Sequence, residues 1–108
     1  METINFEDFA KLEIRIGKII SAERVDSSDK LLKLSVDFGE AKRQIIAGIG
    51  KIYDPEALIG KDCPFVYNLA PRILKGLESQ GMILCPSDET GPALLHPDRE
   101  VPSGSIVK

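Results

Sequence analysis

The chain has 108 residues, 43% hydrophobic and 29% charged, enough for one compact domain covering 1–108 and too few for a second. Met1-Glu2-Thr3 lacks the basic start of a secretory signal, and no stretch approaches the roughly 18 apolar residues of a membrane span. A cytoplasmic protein with no membrane partner is expected.

The formal net charge of −3 argues against a polyanionic partner, but it is unevenly distributed. Residues 1–29 and 76–108 each sum to −3, whereas residues 30–75 sum to +3. Lys30, Lys33, Lys42, Arg43, Lys51, Arg72 and Lys75 fall in that middle stretch and could share one face. The plain alternative is a solvated surface of mixed charge.

In chain order, Phe6 to Leu12 carries apolar groups at spacing three, which predicts a single helical turn. From Glu13 to Val25, Ile14, Ile16, Ile19 and Ala22 alternate with polar residues, interrupted at Gly17 and at Ile19-Ile20. A long strand with a glycine bend or a bulge fits that pattern. Asp26-Ser27-Ser28-Asp29 is a turn, after which Leu32, Leu34, Val36 and Phe38 alternate with Lys33, Ser35 and Asp37 as a half-buried strand. Gly39-Glu40 turns the chain into a third strand, Lys42 to Ile49, so strands two and three should form a hairpin. Asp54-Pro55 to Gly60 has a capping residue, proline at the first helical position and a terminal glycine, which predicts a short helix. A fourth strand runs from Cys63 to Leu69, residues 70–81 form a connector, and a fifth strand covers Met82 to Cys85. The tail alternates turns with short apolar pieces at Ala93-Leu94-Leu95 and Ile106-Val107.

Five short strands, a helix between the third and fourth and no internal repeat predict an all-β chain folded as a five-stranded Greek-key OB barrel. A β-sandwich would require about seven strands. Cys63 and Cys85 each lie within an apolar run and are expected to be buried reduced thiols. His96 is the sole histidine, so neither a structural metal nor a cofactor is expected.

Four stretches in order, Asp8 to Gly17, Asp29 to Leu34, Asn68 to Arg72 and Glu78 to Met82, resemble the tRNA-binding domain found at the C-terminus of many methionyl-tRNA synthetases. Nearly the whole chain is covered, and four ordered motifs are far more specific than one. The resemblance implies a non-catalytic OB module that recognises the folded shape of tRNA and raises a synthetase's affinity for it. It also implies a homodimer, built from the N-terminal segment around Phe6 and Phe9 and the C-terminal extension at Ala93-Leu94-Leu95 and Val101 to Val107. The partners expected are therefore tRNA, a second copy and a methionyl-tRNA synthetase catalytic domain.

Residue by residue, the implied RNA-binding set is Lys33, Asn68, Ser79, Gln80 and Met82, with Lys30, Lys42, Arg43, Arg72 and Lys75 as neighbouring cations. Lysine neutralises phosphate, the amide and hydroxyl groups offer donors and acceptors, and methionine gives a base a polarizable apolar floor. Met82 would serve equally well in a core, and Ser79 and Asn68 equally well as turn caps. One departure stands out: the family commonly has a basic residue directly after Pro-Arg, where this chain has Ile73, while Lys75 keeps the second basic position. With four Phe, two Tyr and no Trp, the chain also lacks an aromatic platform for single-stranded bases.

Two rival classes remain. Ser79, His96 and Asp98 could nominally form a triad, but no nucleophile-elbow spacing surrounds the serine, so no enzyme is expected. The family also includes CsaA-type secretion chaperones that bind peptides, which generally lack the Ser-Gln-Gly-Met motif held intact here at Ser79 to Met82.

Overall fold

In the computed structural model, which describes residues 1–108, the apolar alternation of the central chain becomes one curved antiparallel sheet. Strands β1 (Ile14–Arg24), β2 (Leu32–Asp37) and β3 (Lys42–Ala47) form a meander, and a short helix, α2 (Pro55–Leu58), leads into β4 (Asp62–Val66). A further helix, α1 (Phe6–Ala10), precedes the sheet. After β4 come a hairpin of β5 (Arg72–Leu74) and β6 (Leu77–Ser79), then β7 (Met82–Ile83). A second hairpin, β8 (Ser87–Asp88) with β9 (Gly91–Pro92), and the terminal β10 (Ile106–Val107) complete the chain. The sheet order is β3-β2-β1-β4-β7, with β10 pairing with the start of β1. This is a nearly closed antiparallel barrel sheet, as the all-β OB reading expects, with one extra strand contributed by the tail.

Alternation decides the core. Leu32, Leu34 and Val36 of β2 point inward and are fully buried, joined by Ile19, Phe38, Ile45, Cys63 and Phe65. Phe38 packs edge-on against both Phe65 and Tyr67, at 5.5 and 4.9 Å between ring centres. Leu58 of α2 is buried against the same cluster, so the helix closes one end of the barrel as its apolar residue dictates. Within β1 the bulge falls between Ile19 and Ser21. Gly17, by contrast, stays in register, and a Cβ there would come within 2.4 Å of Val36 and 2.7 Å of Phe38. Its missing side chain is space that the core fills.

Several boundaries shift. β4 ends at Val66 instead of Leu69, although Tyr67 N–H still donates to Glu13 O at 2.7 Å, and β7 keeps two residues of the expected four. The connector expected over 70–81 instead contains the β5–β6 hairpin. Its two-residue turn, Lys75-Gly76, has positive φ at both positions, 51° and 78°. That is the geometry of a type I′ hairpin, for which a lysine in the first place gives no signal.

Candidate nucleic-acid interface

The β3 edge of the sheet is where a barrel must be sealed, and here the seal is made by the segment Glu78 to Gly81. Gln80 N–H donates to Gln44 O at 2.8 Å, and Gln44 N–H donates to the Gln80 side-chain oxygen at 2.9 Å. Further along β3, Ile46 N–H donates to Ser79 Oγ, and the Ser79 hydroxyl donates to Gly81 O, both at 2.9 Å. Gly81 follows at φ +146°, where a Cβ would lie 2.8 Å from both Ile45 Cδ1 and Val66 O. Only glycine lets the segment press this closely onto β3 and β4.

Ser79 therefore holds an internal position in place of the expected contact surface. It is 1% exposed, and its hydroxyl both accepts from and donates to the backbone, so it stays out of reach of a bound molecule. Asn68 is exposed, yet both arms of its amide are committed: Oδ1 accepts from Glu13 N–H at 2.8 Å and Nδ2 donates to Lys11 O at 2.7 Å. It fastens the segment before β1, a tie to residues 55 and 57 positions away in the chain and not the local turn cap of the alternative reading. The Gln80 side chain is shared between sealing β3 and a half-buried surface position.

The cations are arranged differently. Lys30, from the loop joining β1 and β2, faces Arg72 and Lys75 of the β5–β6 hairpin across a groove of about 580 Å³. Leu31, Ile46, Ala47, Ile49, Ile73, Leu74, Met82, Ile83 and Cys85 also line it, and no acidic residue does. Met82 is 36% exposed, so it belongs to the groove surface and not to the core. Lys75 also borders a second depression, shared with Lys33, Glu23 and Asp26, and Lys33 in turn borders a third with Lys42 and Arg43. Arg43 continues into a fourth, with Asn68 and Gln80. Every residue of the implied RNA-binding set except Ser79 lines at least one of these four depressions, whereas Lys51 lines none of them.

Charge along that surface is not uniform. Lys33 is paired with Glu23, its cross-strand neighbour, at 2.6 Å. Arg43 lies 3.6 Å from the centre of the Tyr67 ring and donates to the carbonyls of Tyr67 and Gln80. Both are partly occupied by the protein itself. Lys30, Lys42, Arg72 and Lys75 belong to none of the chain's ion pairs. Residue type and spacing do not single out Ile73 and Leu74 as groove residues, because their place in the groove follows from the β5–β6 hairpin.

Elsewhere, no cluster of three His, Cys, Asp or Glu side chains is placed to hold a metal ion. The ring Nδ1 of His96 lies 2.8 Å from Asp62 O, on a different element from the Ser79 seal, so the nominal triad is not assembled. Cys63 and Cys85 are free thiols, and burial pushes Cys63 up to about 12. No helix is long and apolar enough to cross a membrane.

Comparison with known proteins converges on one family. Residues 14–106 match the family described as "Putative tRNA binding domain". The methionine–tRNA ligase of Caldanaerobacter subterraneus is 50% identical over 107 residues, covering 99% of this chain but 17% of the ligase. The chain thus spans about a sixth of that relative, and what it matches is a non-catalytic tRNA-binding domain. Among solved structures, a MetRS-related protein from Pyrococcus horikoshii superposes with a TM-score of 0.94 at 39% identity over the full length of both chains. The chaperone CsaA from Bacillus anthracis superposes with a TM-score of 0.91 at 35% identity, over 99% of this chain and all of its own. With a family match across 93 residues and an OB-type barrel that agrees with it, the chain belongs to the tRNA-binding domain family.

Proposed function

We propose that this module docks folded tRNA on the surface running from the Lys30–Arg72–Lys75 groove past Lys33 and Lys42 to Arg43, Asn68 and Gln80. Through that contact it raises the tRNA affinity of a methionyl-tRNA synthetase, as its C-terminal domain or accessory subunit, in the cytoplasm. Met82 supplies an apolar contact, while Ser79 acts only by holding the segment in place. The observation that carries this reading is the groove, where unpaired cations gather without a single carboxylate in a chain of net charge −3. Phosphate neutralisation requires just such a local excess, whatever the overall charge. Recognition of a folded shape also suits a surface without stacking aromatics.

The module is further proposed to work as a homodimer. No residue of α1 is buried, and Phe6 and Phe9 are 76% and 39% exposed. Leu95, Ile106 and Val107 are exposed as well, whereas Leu94 already packs against the core and is not available to a partner. A second copy would cover these apolar groups.

A gel-shift titration tests the binding reading. An unmodified tRNA transcript should be retarded at low salt, and affinity should fall steeply as salt rises. Equal binding of an unstructured RNA of the same length would contradict shape recognition. The likeness to CsaA favours one other reading, peptide binding, and an unfolded-peptide competitor that displaces tRNA would support it.

A further inference from the structure

Resting on the tRNA-binding reading, we infer that the Lys30–Lys75 groove is a subsite for one unpaired nucleotide, whose base lies on Ile73 and Met82 while its flanking phosphates meet Lys30, Arg72 and Lys75. Phosphate contact alone does not account for this groove. Its floor is apolar throughout, and Ile73 is 67% exposed between two cations on a hairpin where another cation would serve phosphate better. Ile73 thus leaves apolar surface open to an occupant directly beside Arg72.

The occupant must satisfy both parts of the groove at once. It has to bring a flat apolar face for the floor and negative charge for the rim, within a few ångströms of each other. A nucleotide does so, because base and phosphate are joined through one sugar. The base must be unpaired, since a base within a helix presents only its edge to a protein. The side-chain polar groups of the groove are cationic donors, matching phosphate oxygens, and the absence of carboxylates removes the repulsion that Glu23 and Asp26 create in the adjoining depression. The type I′ turn, with Lys75 at φ 51°, sets this residue at the hairpin tip.

The test is a salt series with a folded tRNA transcript and three variants of exposed residues, Ile73→Ala, Met82→Ala and Lys75→Gln. Losing the floor should lower affinity about fivefold at every salt concentration and leave the salt dependence unchanged. Losing Lys75 should instead flatten the log–log slope by roughly 0.7–0.9. A second arm uses transcripts with single abasic nucleotides in their loops. One abasic position should weaken wild-type binding by the same factor as Ile73→Ala and have no further effect in that variant. If Ile73→Ala and Met82→Ala bind tRNA as wild type does while Lys75→Gln flattens the slope, the groove takes phosphate only and the inference fails although tRNA binding stands. If an apolar acidic peptide fills the groove and the floor variants impair the peptide alone, the groove belongs to a protein. Failure of wild type to bind tRNA at all overturns the underlying reading instead.

Discussion

The backbone N–H of Ile46 donates to the hydroxyl of Ser79 at 2.9 Å, and this buried bond spans the seam where the barrel closes. The sheet path ends at β3 on one side and β7 on the other, so the β3 edge would otherwise expose open N–H groups. The Ser-Gln pair supplies acceptors for Ile46 and Gln44 and thereby completes the barrel with side chains in place of a sixth ladder.

Ser79→Ala should therefore act on stability first. It leaves a buried donor without a partner, at a cost of roughly 1–3 kcal/mol. A chemical denaturation midpoint should drop accordingly, with an unchanged slope. tRNA affinity, measured well below the melting transition, should fall much less than for a cation on the surface. An unchanged midpoint together with a large loss of affinity would place the hydroxyl against the ligand after all.

The Lys33–Glu23 pair predicts effects of opposite sign. Lys33→Gln removes a phosphate partner and should weaken tRNA binding by about 1 kcal/mol. Glu23→Gln frees the ammonium and removes a negative charge from the same depression, so binding should tighten by about two- to threefold. Neither change should alter stability by more than about 1 kcal/mol, because an exposed pair contributes little. If Glu23→Gln binds more weakly than wild type, the ion pair positions Lys33 and does not restrain it.

α1 offers a test of assembly that leaves the core intact. The double change Phe6→Ser and Phe9→Ser touches no buried residue. Light scattering should move from about twice the chain mass to the 11.8 kDa of a single chain. Retention of the larger mass would assign the second copy to another face.

The Cys63 thiol predicts a pH dependence. Burial raises it from an ordinary 9.0 to about 12, so the folded state holds a proton that the unfolded state releases in that interval. Its stabilising contribution is complete below pH 9 and is lost as pH rises toward 12, with a slope of at most about 1.4 kcal/mol per pH unit. Burial raises Cys85 as well, which adds loss in the same direction. Cys63→Ala should lower the melting temperature near neutral pH by leaving a small cavity, yet its curve between pH 9 and 10.5 should be flatter than wild type. Parallel curves would show that other groups set the alkaline limit.

Period-two alternation in residues 32–38 and the proline-first turn at 54–60 determined where β2 and α2 lie, because side-chain direction in these elements follows from backbone geometry alone. The same reasoning located the mid-chain cations and the motifs that resemble the family, and through them the class of ligand. It could not decide which of those residues face outward. Ser79 and Lys30 look equally polar in a sequence, but one closes a seam formed by a segment more than thirty residues earlier, and the other borders a groove shaped by a hairpin some forty residues later. Contacts at that separation depend on how the barrel closes, a property of the assembled sheet that no local pattern encodes. For the same reason Ile73, an apolar residue in a basic loop, acquires meaning only once Met82 and Lys30 are brought beside it.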